Sequence, residues 1–371
     1  MTAINTTSPD PVQSLYVHVP FCATKCEYCA FYSEASSGEQ MNRYVDALIR
    51  EMQLVARSVK PRTIFFGGGT PSILSLQQWQ RILTAMERLD LLGADEWTIE
   101  CNPATVSTDK ASLFRQYGVN RISMGVQSLD ADLLVRLGRI HSREMVFKSF
   151  DRLRGAGFEN INIDLMFAIP GQTMETWQST MDEAIALGSE HFSCYEVIYE
   201  EDTPLYEQLQ AGEFDVDEAL ACAMYDRLID TAAAAGFSQY EVANFARHEG
   251  EPDAELPSHA CLHNVNYWRG GACQGHVGQK LARFGLDAGL AEDALDEASG
   301  PCLGGRPIDK LEQSSDADRA AAALDHGAPE PREVADTHLR VPDQLAVERH
   351  HPQHVGIGLH PQLLGCARPV R

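Results

Sequence analysis

A chain of 371 residues is long enough for two domains, or for one large barrel with an appendage, and can bury a substantial core. Its formal charge of −23, from 30 Lys and Arg against 53 Asp and Glu, excludes a general nucleic-acid binder, which needs clustered basic residues to meet phosphate. No stretch approaches the apolar length that spans a bilayer. Met1 to Val12 lacks the basic start and apolar core of a signal peptide, and ten cysteines in such a chain point to a reducing compartment, the cytoplasm, where thiols are ligands or small buried apolar groups.

From Ser14 to Val19 the run is apolar and β-branched and stops at Pro20, which predicts a strand emptying into a loop. That loop carries Cys22, Cys26 and Cys29 as C-x3-C-x2-C. Closed structural zinc sites take four ligands, so three thiolates with no fourth nearby suit a 4Fe-4S cluster that leaves one iron open to a ligand outside the protein. Structural zinc is the weaker alternative on ligand count.

Met41, Tyr44, Val45, Leu48, Met52, Val55 and Val59 recur at helical spacing over Gln40 to Val59. Thr63-Ile-Phe-Phe is a buried-strand pattern running into Gly67-Gly-Gly-Thr70-Pro, and an amphipathic helix follows from about Leu76 to Leu89. The unit then repeats. Strands are expected at Trp97 to Pro103, Arg121 to Gln127, Asn160 to Phe167 and Phe192 to Ile198, with helices over Lys110 to Tyr117, after Asp130, after Ser142, and over Met174 to Leu187. Cys101, Cys194 and Cys222 sit inside these apolar patterns and read as core residues.

Six strands alternating with helices predict parallel βα units, in a barrel or an open doubly wound sheet. The barrel is favoured because the cysteines, the glycine run, Glu100, Gln127 and Asp164 all fall at strand ends, where barrels of this kind keep their working residues. Gly67-Gly-Gly-Thr-Pro does not fit the dinucleotide-binding G-x-G-x-x-G. The expected fold class is therefore α/β, a partial (β/α)6 barrel with a C-terminal extension. A helix over Asp217 to Ala235 and a strand at Tyr240-Glu-Val-Ala come next. His259, Cys261 and His263 mimic metal-ligand spacing, but His259 and His263 share a face only if that segment is helical.

Beyond Gly271 the text changes character. Phe284 is the only aromatic residue from Cys273 onward, out of 29, and seven of the thirteen histidines lie there. With no core-forming period and so few large apolar groups, this stretch cannot offset its own folding entropy. Residues 1–13 are thus expected to be a flexible N-terminus, 14–200 the barrel, 201–272 its extension, and 273–371 an atypical tail. That tail is either a frameshifted translation after about Ala272 or a natural disordered segment; translating the other two frames distinguishes them.

The cysteine spacing resembles the signature of the radical S-adenosylmethionine (SAM) enzymes, with Tyr16-Val-His-Val-Pro-Phe before it and Glu27-Tyr28 inside it. These flanks look like the branch of oxygen-independent coproporphyrinogen III oxidases and haem chaperones. The resemblance covers about Ser14 to Trp268. It implies that SAM takes the open iron through its amino and carboxylate groups, and that a low-potential electron cleaves its sulfonium to a 5'-deoxyadenosyl radical. It also implies a reductant such as flavodoxin or ferredoxin. Tyr16, Gly68, Glu100, Gln127, Arg139 and Asp164 match positions around SAM, and Gly68, Gly69 and Thr70 the loop against its methionine part. His263-Asn-Val-Asn-Tyr-Trp268 resembles an H-N-x-x-Y-W motif, which implies haem binding with His263 as candidate ligand.

Each residue also has a bland reading. The glycines can be an ordinary tight turn, Glu100 a solvated strand end, Gln127 and Asp164 members of a structural network, Arg139 a surface residue, and His263 a hydrogen-bonded core histidine. Two departures choose between the branches. The oxidases carry a further cysteine two residues after the third, where this chain has Phe31, and they begin with a longer N-terminal segment. Both favour a haem chaperone, in which haem is cargo for an acceptor protein; oxidative decarboxylation of coproporphyrinogen III is the alternative.

Overall fold

The computed structural model describes residues 11–35, 37–250 and 254–276. The expectations for residues before 11 and for the tail beyond 276, the frame shift included, lie outside the described residues. In chain order the elements are β1 Val12–Val19, β2 Phe21–Cys22, β3 Glu34–Ala35, α1 Gly38–Val55, β4 Val59–Gly68, α2 Leu76–Arg88, β5 Glu96–Cys101, α3 Thr108–Gln116, β6 Arg121–Gln127, α4 Ala131–Arg136 and α5 Arg143–Gly155. There follow β7 Ile161–Phe167, α6 Met174–Ala186, β8 His191–Glu196, α7 Pro204–Gln210, α8 Glu218–Ala234, β9 Phe237–Glu241, β10 Asn244–Arg247, α9 Leu262–Trp268 and β11 Cys273–His276.

The helices start where short polar side chains can take the orphan amides of a first turn. Ser37 with Gln40 and Ser75 with Gln78 form reciprocal capping boxes at α1 and α2. Ser142, Thr173 and Thr203 cap α5, α6 and α7 with a single side-chain oxygen that accepts from the third amide of the helix. Helix α1 ends at Val55, short of the expected Val59: a tighter 3-10 turn over Ala56–Ser58 follows it, and Lys60, before Pro61, is extended in β4. Val59 instead opens β4, opposite Val12.

Nine strands form one sheet in the order β11-β1-β4-β5-β6-β7-β8-β10-β9. Neighbours from β1 through β8 are all parallel, so the six βα strands of a partial (β/α)6 barrel are present as expected. Past them, β10 runs antiparallel to β8 and pairs with β9 as a hairpin. The strand expected at Tyr240-Glu-Val-Ala is cut short by this hairpin: Val242 and Ala243 form its turn. The Glu241 carboxylate fastens the turn by accepting from the Ala243 N–H at 3.0 Å and from Asn244 Nδ2 at 2.7 Å. At the other side β11 lies parallel to β1, with Ser14 opposite Cys273. The sheet therefore runs four residues past 272.

Side chains alternate across every strand. One face carries Leu15, Val17, Ile64, Phe66, Trp97, Ile99, Ile122, Met124 and Ile163, all buried in the main apolar cluster beneath the helices. Trp79 from α2 fills the centre, with its ring 5.1 Å from Phe66 and 4.8 Å from Phe114. Cys101 and Cys194 are buried in this cluster and Cys222 packs against it. The opposite, inner face is polar: Ser14, Thr63, Glu96, Thr98, Arg121, Ser123, Asn162, His191 and Ser193 are all buried there. That face leads to the strand ends bearing the cysteine loop.

Candidate functional site

The cysteine loop leaves β1 and is closed at its base. β2 pairs with β3 through Phe21 and Glu34, and the Glu34 N–H donates to the Pro20 carbonyl at 2.9 Å. Its middle is pinned twice more. The Glu27 N–H donates to Leu137 O at 3.1 Å, and the Leu205 N–H at the start of α7 donates to Glu27 O at 2.9 Å. Tyr28 packs into a separate cluster of Leu133, Leu137, Met166, Ile169, Val197 and Leu205. The loop is therefore seated on the ends of β7 and β8, and α7, which the periodicity does not reveal, is one of its supports.

Cys22, Cys26 and Cys29 are each half-buried. Burial pushes the Cys29 thiol up to about 11, and the nearby Cys26 and Cys22 push it the same way. A thiol so disfavoured as an anion keeps its proton near neutrality unless a metal cation replaces it. Thr70 Oγ1 stands 3.5 Å from Cys22 Sγ, and Arg139 Nη1 donates to Cys26 Sγ at 3.5 Å. Three soft sulfur donors on one loop with a guanidinium beside them suit an iron-sulfur cluster. Among the described residues no three His, Cys, Asp or Glu groups stand in metal-ligand geometry, so this fit rests on donor type and position.

The glycine run has a role that differs from simple room for a ligand. A Cβ on Gly69 would meet Phe21 O at 2.7 Å and Val19 O at 2.9 Å, and one on Gly68, whose φ is +106°, would meet the His18 ring at 2.5 Å. Only glycine allows this approach. It lets Gly69 N–H donate to Val19 O at 2.8 Å and Thr70 N–H to Phe21 O at 2.7 Å. The loop after β4 thus braces the first cysteine through the backbone.

Groups from β5, β6 and β7 and from the turn after α4 converge behind it, Asp164 from the middle of β7 and not from its end. Glu100 on β5 accepts from the Gly68 N–H at 3.1 Å; burial, and then the Asp164 charge, raise its carboxyl to about 8. Asp164 on β7 is raised to about 6 by burial, opposed by hydrogen bonds from Asn162 and Ser123 and by the charge of Arg121. Gln127 ends β6 with a φ of +67° beside a register shift. That left-handed kink re-aims its side chain, whose Oε1 accepts from Tyr195 O–H at 2.8 Å. Arg139 is not a surface residue. Its Nη2 donates to Gly125 O while its Nη1 reaches Cys26 Sγ.

Tyr16 and His18 lie on the same face of β1. His18 Nε2 is 3.0 Å from Tyr32 O and must donate to it, so Nδ1 accepts from Tyr16 O–H at 3.3 Å. Burial lowers the His18 pKa from its usual value. The i, i+2 alternation of Tyr16 and His18 was the available signal for adding His18 to the site. Arg121 and Glu96, on the inner face, carried no motif at all.

His263 lies deeper on the inner face, its ring 6.4 Å from that of Tyr16 and 5.2 Å from that of Phe65. It is 6% exposed, and its Nδ1 shares a 3.0 Å hydrogen bond with Thr63 Oγ1, which in turn is 2.8 Å from Ser14 Oγ. Ser14 precedes Val19 by five residues on β1, about 16 Å along a strand. Burial, and secondarily Arg121, lower the His263 pKa to about 4. Its helix α9 docks on the buried Glu96 carboxylate, which accepts from the Leu262 and His263 N–H groups at 2.9 and 3.0 Å. His259 precedes the N-cap Cys261 and contacts Ser258 and Arg247 O, so His259 and His263 do not form an i, i+4 pair on one helix.

Comparison with known proteins bears on this arrangement. A family model described as the radical SAM superfamily matches residues 16–184. The heme chaperone HemW of Bacillus subtilis is 35% identical over 280 residues, spanning 72% of this chain and 72% of its own. The Escherichia coli protein of that name is 37% identical over 266 residues, 70% of this chain and 67% of its own. The Lactococcus lactis protein is 40% identical over 257 residues, 69% of this chain, and the match covers 65% of that relative's length. Among solved structures, coproporphyrinogen III oxidase (HemN) from Escherichia coli, described as a radical SAM enzyme, superimposes with a TM-score of 0.60 at 26% identity, over 71% of this chain and 59% of that one.

Proposed function

We propose that this chain, which belongs to the radical SAM superfamily and to the family of the relatives named heme chaperone HemW, binds haem as cargo and hands it to an acceptor protein while holding a 4Fe-4S cluster and SAM. The observation that carries this reading is the likeness to those relatives over most of the described fold, joined to a cysteine loop with three thiols and no fourth. Cys22, Cys26 and Cys29 would hold the cluster. When bound, the cluster supplies the electron that cleaves the SAM sulfonium.

The chain's own residues then do the following. Tyr16, Gly68, Gly69, Thr70, Glu100, Gln127, Arg139 and Asp164 frame the space for SAM behind the cysteine loop. Glu100 and Asp164 offer carboxylates to ribose hydroxyls or an ammonium group, and Arg139 places a fixed positive charge beside the cysteine sulfurs. The inner face below them is closed by packed polar side chains, which keeps bulk water out of the pocket. His263, the candidate haem ligand in this reading, is also a buried tie between α9 and strand β4, its Nδ1 held by Thr63. The working compartment is the cytoplasm, with a small flavodoxin or ferredoxin as reductant.

The likeness to the oxidase HemN keeps coproporphyrinogen III decarboxylation as a second reading. Phe31 stands where that branch has a cysteine, and it is 51% exposed beside the loop. Anaerobic reconstitution with iron and sulfide, followed by separate incubation with haem and with coproporphyrinogen III, SAM and dithionite, separates the two. Stoichiometric haem uptake without porphyrinogen turnover is expected. Protoporphyrinogen formation overturns the chaperone reading, and a colourless product after reconstitution overturns both.

A further inference from the structure

An unbroken hydrogen-bonded line crosses the inner face from α9 to Asp164, and its middle members have no part in the reading above. It begins at the Cys261 N–H, which donates to the Tyr240 hydroxyl at 3.0 Å. The Tyr240 hydroxyl is 2.7 Å from His191 Nε2, and His191 Nδ1 is 2.6 Å from Asn162 Oδ1. Asn162 Nδ2 closes the line with a 2.6 Å bond to Asp164 Oδ1 and a 2.7 Å bond to Ser123 Oγ. His191 and Asn162 are fully buried.

The direction of the donors follows from counting protons. The Tyr240 oxygen already accepts from Cys261, and His191 Nε2 is the acceptor for its own O–H. His191 then carries its single proton on Nδ1 and donates it to Asn162 Oδ1, which also accepts from Ser193 O–H at 3.2 Å. The Asn162 amide is left with both N–H bonds facing Ser123 and Asp164. Reversing the line would strand the Tyr240 hydroxyl proton and turn the Asn162 oxygen toward Asp164, which is tolerable only if Asp164 is protonated.

We propose that Tyr240 and His191 are positioning residues: acting through Asn162, they hold Asp164 as an ionised hydrogen-bond acceptor in the SAM pocket. The proposal rests on the reading of Asp164 as a SAM-binding group. The surroundings agree with it. Asp164 faces Arg121, which favours the anion, and Glu100, which opposes it; Tyr28, Cys194 and Tyr195 also face it and are each held neutral by burial. His191 is kept neutral by burial, then by Arg121 and His259, and burial holds the proton on Tyr240.

The test compares two full-length variants that both loosen α9. Tyr240→Phe removes the hydroxyl that sets the direction of the line, and Glu96→Gln weakens the other tie of α9 without touching it. Infrared titration of the 13C-aspartate-labelled chain, with Asp164→Asn as the difference reference, reads the Asp164 midpoint, near 6 in the parent chain. Tyr240→Phe is expected to raise it by about one pH unit, and Glu96→Gln to leave it in place or lower it. SAM affinity of Tyr240→Phe should fall about fivefold at pH 6 and match the parent above about pH 8. An unmoved midpoint in Tyr240→Phe, or an equal rise in both variants, overturns the line as a positioning device. If the parent binds no SAM while the midpoints behave as stated, the cofactor reading of Asp164 fails and the line stands.

Discussion

On the outer face of the sheet Phe66 packs between Trp79 and Trp97, with ring centroids 5.1 and 6.3 Å away. One residue earlier on the same strand, Phe65 points inward to Tyr16 and His263. The outer face is held by volume. Any apolar group of similar size would serve there, because dispersion and burial are not directional. The inner face is held by partners, and each of Glu96, Asn162 and His191 is tolerable in the interior only because named atoms meet it. A difference of one residue along a strand therefore separates a surface that can drift in sequence from one whose groups depend on one another.

The comparison can be broken first from the apolar side. Trp79→Ala empties the centre of the helix layer and should cost about 4 kcal/mol in urea unfolding without moving the titration of any inner-face group. Glu96→Ala attacks the polar side. It leaves two amides of α9 and the buried Arg121 without their carboxylate, and about 3 kcal/mol should be lost, with α9 becoming the most protease-sensitive part of the described fold.

A smaller effect sharpens the contrast through pH. Glu100 and Asp164 have folded-state pKa values raised to about 8 and about 6, so the stability they give is fully present below about pH 4 and is lost as pH rises through those values. Glu100→Gln should flatten that decline and make the cluster-free chain about 2 kcal/mol more stable than the parent at pH 8.5, and no different at pH 4. The buried histidines act with the opposite sign. His263 and His141 are lowered to about 4 and about 3, so their contribution is present above about pH 6.5 and is lost as pH falls toward those values. Smallest of all, Phe31→Ala belongs to neither face, and its removal should change stability by less than about 0.5 kcal/mol; a larger loss would mean that the exposed ring supports the cysteine loop.

The outer face was the legible half. Its alternation gives β6 at Arg121–Gln127, the residues expected, and α2 and α6 to within a residue at either end. What escaped did so for local reasons. Val242 and Ala243 are apolar residues in a turn, which no periodicity marks as one, and α7 is seven residues long, too short to show a repeat. β11 is a Cys-Gln-Gly-His strand with none of the β-branched residues that flag a strand. At the site, the cysteines and strand-end polar residues could be singled out from type and position. Arg139 could not, because its place depends on Gly125 and Cys26 from distant segments. Nor could the depth of His263, which is decided by Thr63, 200 residues away.

The Glu96 carboxylate meets its helix amides only when residues 262 and 263 arrive, 166 and 167 positions later in the chain. At synthesis rates of about 5–20 residues per second, β5 waits roughly ten to thirty seconds before that charge can be covered. During that wait the nascent barrel can assemble its helix layer but not its interior, so a ribosome-bound product ending before residue 262 should remain open to protease and to holding chaperones.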